Sequence, residues 1–143
     1  MTAQIADCLT FQGQDYRLFA EPLSLWLNKR RNRNIRFQRI STACWRGYVA
    51  RWEVVDDRLF LTNISGHFQD GRELSVADLF PDDPELVLAD WVTGTVRCPF
   101  GARLKYSHAG YSSIYEHDLI LRFQDGVLME YRTVRNEPPP PDE

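Results

Sequence analysis

The sequence predicts a mainly β domain: an antiparallel sheet folded as a sandwich or partly open barrel, with one or two short helices. Three observations predict it. Turn signals recur along the chain, at Gly13, Asp56-Asp57, Asp70-Gly71 and Asp125-Gly126. The segments between several of them alternate apolar and polar residues with the period of two that turns one strand face toward a core. The chain also lacks the regular strand–helix–strand alternation that builds a parallel sheet.

Taken in order, Leu9–Phe11 and Tyr16–Phe19 read as a hairpin about Gly13. Glu21–Asn28 reads as a short helix, because Pro22 fits a first turn and Leu23, Trp26 and Leu27 fall at i, i+3 and i+4. The clearest strand is Trp45–Val55, in which Tyr48, Ala50, Trp52 and Val54 share one face. A tight turn at Asp56-Asp57 returns the chain as Arg58–Ile64, setting Trp52 opposite Leu61 and Val54 opposite Leu59. Ser75–Phe80 reads as a short helix with Ser75 as N-cap and Asp78 in the capping-box position, ended by Pro81. Leu86–Cys98, Leu104–Ser107 and Asp118–Phe123 are further strands. Asp125-Gly126, between Leu119–Phe123 and Val127–Val134, is the strongest hairpin signal. The expectation is about nine short strands in one domain over residues 1–136, followed by a disordered Pro-rich acidic tail over 137–143.

Composition narrows the function classes. A chain of 143 residues fits one domain, and a domain of this size buries roughly 70% of the surface its unfolded form exposes. With 43% hydrophobic and 26% charged residues it has the balance of an ordinary globular protein. No run approaches the ~20 apolar residues of a membrane span. The start, MTAQIADCLTF, lacks the basic and apolar regions of a secretory signal. Cys8, Cys44 and Cys98 are odd in number and widely spaced, which argues against a disulfide framework and a CxxC metal or redox site. A cytoplasmic protein without a membrane association is expected.

The net charge of −3 hides an asymmetry. Lys29–Arg39 reads KRRNRNIRFQR and contains no acid, while the balancing carboxylates lie mostly downstream. Such a cluster can steer an acidic partner, with Arg30, Arg31 and Arg33 as the candidate residues. A solvated loop is the plainer reading. Nucleic acid is the third, since arginines neutralise phosphates and Phe37 could stack on a base. The acidic whole and the lack of interleaved aromatics disfavour it.

Asp90–Asp118, DWVTGTVRCPFGARLKYSHAGYSSIYEHD, has the richest chemistry. Its His108, Ser112, Ser113, Glu116, His117 and Asp118 are residue types of a hydrolytic site, yet no G-x-S-x-G elbow presents a serine. His108, His117 and Glu116 or Asp118, with His67, match no zinc spacing, so neither metal nor cofactor is expected. The pairs available among Asp90, Glu116 and Asp118 are no more than any acidic protein offers for glycoside chemistry. Glycines at 94, 101 and 110 instead mark turns between aromatic-rich strands. Trp91, Tyr106, His108, Tyr111 and Tyr115 could then line one recognition surface. The plainer reading assigns Trp91 and one or two tyrosines to the core.

CWRGYVARWEVVDDRLFL (Cys44–Leu61), LFP (Leu79–Pro81), DWVTG (Asp90–Gly94) and HAGYSSIYEHDLIL (His108–Leu121) occur together in this chain. In that combination it resembles a family of small uncharacterised bacterial proteins carrying RGY, D-W-x-T-G and H-x-G-Y-x-S-x-Y-E elements, over roughly residues 9 to 132. The resemblance implies a bacterial origin and brings no catalytic residues with it. The Lys29–Arg39 run and the proline tail depart from the family pattern.

The expected function is a non-catalytic bacterial binding protein, most concretely a cytoplasmic immunity protein that neutralises a secreted toxin by direct contact. The toxin association is an analogy with small orphan proteins. Trp91, Tyr106, His108, Tyr111, Tyr115 and Glu116 are its candidate contacts, and Arg30, Arg31 and Arg33 its steering charges. One alternative is a small-ligand or hydrolytic domain in which His108, Glu116 and Asp90 share a pocket. The other is a nucleic-acid-binding module acting through Lys29–Arg39.

Overall fold

The computed structural model describes residues 6–27, 48–68, 70–81, 86–105 and 114–136. Strand makes up 65% of them, in one eight-stranded, mostly antiparallel and unclosed sheet with two short helices. The elements run β1 (Asp7–Phe11), β2 (Gln14–Leu18), α1 (Pro22–Leu27), β3 (Tyr48–Val55), β4 (Arg58–Gly66), α2 (Val76–Leu79), β5 (Val87–Leu88), β6 (Gly94–Lys105), β7 (Ile114–Gln124) and β8 (Val127–Arg135). Their order across the sheet is β2-β1-β3-β4-β8-β7-β6, with β5 beside β4.

Local chemistry builds both long hairpins. Asp56 and Asp57 adopt φ of 51° and 60°, the left-handed conformation that a two-residue turn needs to match strand twist. The register follows: Trp52 pairs with Leu61 and Val54 with Leu59, with an irregularity beyond Arg51. Asp125 and Gly126, at φ of 51° and 81°, turn β7 into β8 in the same way. Alternation then buries Leu119, Leu121 and Phe123 from β7 against Leu9, Tyr48, Trp52 and Leu61. In α1, Pro22, Leu23 and Trp26 are the buried face. Ahead of α2 the Ser75 N–H and hydroxyl both donate to the Asp78 carboxylate at 2.8 Å, one half of a capping box.

Two pairings differ from the sequence expectation. Strands β1 and β3 run parallel, Leu9 beside Trp52, where an all-antiparallel sheet was expected. A buried carboxylate ties them: Asp7 accepts the Ala50 N–H and the Trp52 indole N–H, each at 3.0 Å. The stretch expected as one strand over Leu86–Cys98 is broken after Val87–Leu88. Ala89 N donates to Leu59 O and Val92 N to Ala89 O, so the chain turns at Asp90-Trp91 before β6 begins. β6 then runs unbroken to Lys105, through Pro99 and a bulge at Gly101, instead of ending at Cys98. Proline is tolerated there because β6 is an outer strand and does not need a second donor. The Lys29–Arg39 run, Trp45–Gly47, Ser107 and the 137–143 tail lie outside the described residues.

The sheet has two halves, β2-β1-β3-β4 and β8-β7-β6, with two joints. β4 meets β8 at the single pair Arg58–Val127. At the other joint the outer strands β2 and β6 approach each other, and Phe19 N donates to Arg97 O at 2.8 Å.

Candidate functional site

Beyond that last hydrogen bond β2 and β6 diverge, leaving a groove of about 430 Å³ between the first hairpin and the β6 bulge. Cys8, Asp15, Tyr16, Arg17 and Phe100 are among its walls. An aromatic ladder floors this end. Tyr16 meets Phe100 edge-on at 5.8 Å, and Phe100 stacks on the His117 ring at 4.9 Å. A second recess, of about 390 Å³, lies between α1 and the start of β6, against Pro22, Leu25 and Val92–Val96.

The three residues most suggestive of catalysis, Glu116, His117 and Asp118, all hold structure. At Gly101 φ is +85° and β6 bulges, so the Ala102 N–H has left the ladder; the Glu116 carboxylate accepts it at 2.6 Å. A side chain at Gly101 would meet Glu116 Cβ at 3.0 Å, which is why the bulge takes glycine. His117 is half-buried in the stack with Phe100. Asp118 is buried, accepting from Arg97 Nη1 and from Asn136 Nδ2, both at 3.0 Å. The Arg97 guanidinium in turn lies 4.8 Å over the Phe19 ring.

The other candidate residues divide. Tyr115 is only 9% exposed, with the Phe19 ring 6.0 Å away and the Arg17 guanidinium 5.3 Å over its face. Trp91 is half-buried, its indole N–H donating to Pro22 O at 2.8 Å and its ring stacked on Phe80 at 5.8 Å. Trp26 and Trp52 approach the same ring, each at 6.3 Å. That cluster ties α1 to the turn before β6 and leaves Trp91 part of one face to offer. Asp90 is exposed and packs beside Gly126, at the far end of β7 from Glu116. Eight residues of strand separate Glu116 from Gln124, or about 25 Å at strand rise, so Asp90 and Glu116 share no pocket. Tyr106, His108, Tyr111, Arg30, Arg31 and Arg33 lie outside the described residues.

Burial governs the two cysteines described. Cys98 is fully buried, and desolvation with the nearby Asp118 charge pushes its thiol up to about 12. Cys8, at the groove, is also raised, chiefly by burial. Both are protonated at neutral pH and so poor nucleophiles. Among the described residues no three His, Cys, Asp or Glu side chains converge as a metal site. No helix among them is long and apolar enough to cross a membrane.

Sequence reasoning missed one exposed surface. Met129 and Tyr131 on β8 are 50% and 52% exposed. Their alternation with Glu130 and Arg132 reads as an ordinary half-buried strand, and nothing local signals that the cover over Tyr131 is partial: the Phe11 ring meets it edge-on at 5.1 Å and Gln12 Nε2 donates to its hydroxyl at 3.2 Å, yet half of the side chain stays exposed. Comparison of the chain with protein-family models, curated proteins and solved structures finds no match.

Proposed function

We propose that this chain is a non-catalytic bacterial binding protein acting by direct protein–protein contact, with neutralisation of a secreted toxin in the cytoplasm as the specific form of that activity. The observation that carries the reading is the commitment of Glu116, His117 and Asp118. The Glu116 and Asp118 carboxylates are taken up by a bulge amide and a strand joint, so neither is placed to work with His117, whose ring is fixed by its stack on Phe100, in moving a substrate proton. The adjoining groove supports the same reading. Its tyrosine, phenylalanine and charges of both signs are the materials of a protein contact, where aromatics anchor and charge sets orientation.

The test begins with the genes flanking this chain's own: the proposal expects a toxin-domain protein among their products, and that protein is the partner to purify. The purified pair should associate with submicromolar affinity, and co-expression should restore growth of cells producing the toxin. Tyr111→Ala should weaken capture at least about tenfold, the scale of one interface anchor. Tyr115→Ala is the wrong probe, because that side chain is buried and its loss would read on folding. Absence of both binding and growth rescue would sink the proposal.

A further inference from the structure

The sheet ends differently at its two exposed strands. β6 is paired with β7 along one edge; its other edge closes toward β2, and is blunted by Pro99 and by the bulge at Gly101. Both are devices that stop a foreign strand from adding to a sheet. β8 is paired with β7 from Val127 through Arg135. Its second edge meets β4 only at its start, where Val127 pairs with Arg58 and Leu128 N donates to Asp57 O at 2.6 Å. From Met129 to Arg135 that edge has no strand partner among the described residues, and it carries neither proline nor lysine. Met129 and Tyr131 stand half exposed along it; the Tyr131 ring leans edge-on to Phe11 at 5.1 Å and its hydroxyl accepts from Gln12 Nε2 at 3.2 Å, contacts of the side chain that leave the backbone edge open among the described residues. Its guards are the register irregularity near Leu128 and the charges of Glu130, Arg132 and Arg135; charges of both signs bar most foreign strands but admit one whose charges are complementary.

We propose that this edge pairs with the same edge of a second copy of the chain, antiparallel, about a two-fold axis through Tyr131. The register follows from two constraints. Successive residues of a strand aim their N–H and C=O groups at opposite edges. Identical edges meeting through a two-fold therefore match residues of like parity, and the axis passes through a residue instead of between two. Charge then selects which one. An axis at Glu130 sets Glu130 against Glu130, and an axis at Arg132 sets Arg132 against Arg132. An axis at Tyr131 sets Glu130 of each copy opposite Arg132 of the other, twice over, with the two tyrosines facing between them. Opposite charges directly across a ladder stabilise it and like charges destabilise it. Glu130 already pairs with Arg122 of its own β7 at 3.0 Å, so each dimer contact extends an existing charge row on the same face. The arrangement is isologous and closes at two copies.

Sedimentation equilibrium of the full chain across the micromolar range tests this. The wild type should dimerise. Arg132→Glu and Glu130→Arg should each raise the dimer dissociation constant at least about tenfold, since two attractive contacts become repulsive. The double swap Glu130→Arg with Arg132→Glu should recover most of that loss. Both side chains are exposed, and circular dichroism of each variant checks that the fold is kept. Hydrogen exchange of the wild type gives a readout that needs no variant: edge-facing amides between Met129 and Thr133 should gain protection as concentration rises, the ladder stopping there because Val134 and Arg135 fall opposite Leu128 and Val127, which β4 already holds. A chain that stays monomeric overturns the proposal. So does a dimer indifferent to the single substitutions, one that the double swap does not restore, or protection that does not depend on concentration.

Discussion

Where β4 meets β8 the contact is backbone against backbone; where β2 meets β6, side chains do most of the joining. At the first joint Gly126 is the pivot. Leu59 N donates to its carbonyl at 2.8 Å, and its own N–H donates to Val92 O at 2.9 Å. At the second, one backbone bond from Phe19 to Arg97 is reinforced by Arg97, Asp118, Asn136, Phe19, Tyr115 and Arg17. A backbone joint holds its geometry but has no room to give. A side-chain joint shares its energy among contacts and yields by degrees.

The sharpest way to break that contrast is at Gly126. Its φ is +81°, and a Cβ there would stand 2.5 Å from Ala89 O and 2.9 Å from the Ala89 carbonyl carbon. The neighbour is backbone, pinned by the Ala89 N–H bond to Leu59 O, so it cannot swing aside. A left-handed non-glycine residue costs roughly 1–2 kcal/mol and a forced clash in a packed site roughly 1–3 more. Gly126→Val should therefore lower stability by about 3 kcal/mol or more, a fall of about 10 °C in melting temperature for a chain of this size. A thermal melt within about 2 °C of wild type would show that the joint is more pliable than its geometry implies.

The side-chain joint should lose less. Arg97→Ala removes the ion pair to Asp118 and the cation over Phe19, leaving a mostly buried carboxylate with Asn136 still donating to it. The Arg97 side chain is 30% exposed, so the pair is partly screened already. The cost should be about 2 kcal/mol by urea denaturation. Asp118→Asn should cost less, because it keeps the shape and removes the charge that needs Arg97. If Arg97→Ala matched Gly126→Val in severity, the distinction between the two joints would fail.

How much of this could be read from the sequence also separates along the same line. The β3–β4 register was legible because it depends on neighbours: a period of two and an Asp-Asp turn suffice to oppose Trp52 to Leu61. The β7–β8 hairpin was legible for the same reason. The parallel pairing of β1 with β3 was not, since it rests on Asp7 reaching the amide and indole of residues more than forty positions away. The site suffered from the same limit. Glu116, His117 and Asp118 look catalytic as a string of letters because composition shows which groups are present and not which donors claim them. Their claimants, the Ala102 N–H, the Phe100 ring and Arg97, are set by a bulge and a joint that no spacing rule announces. Trp91 is similar: its stack on Phe80 and its bond to Pro22 O depend on α1 docking beside a turn.

The smallest effect expected separates the joints by pH. Cys98 lies on β6, its thiol buried beside Asp118 and raised from an ordinary 9.0 to about 12. An unfolded chain releases that proton near 9, whereas the folded chain keeps it until about 12. The folded state thus binds the extra proton throughout that interval. The contribution to stability is fully present below pH 9 and is lost progressively as the pH climbs toward 12. Cys98→Val is close in volume and cannot ionise, so at neutral pH it should shift stability by less than about 1.5 kcal/mol. Above pH 9 its stability should fall less steeply than that of the wild type, the gap widening with pH, as read by urea denaturation at each pH. Cys8, also raised by burial, keeps part of the slope in the variant. Parallel curves for the two proteins would mean that the folded chain releases the Cys98 proton where the unfolded chain does, and that burial does not hold it. Gly126→Val should leave the slope unchanged while lowering the whole curve, because the backbone joint contains nothing that titrates there.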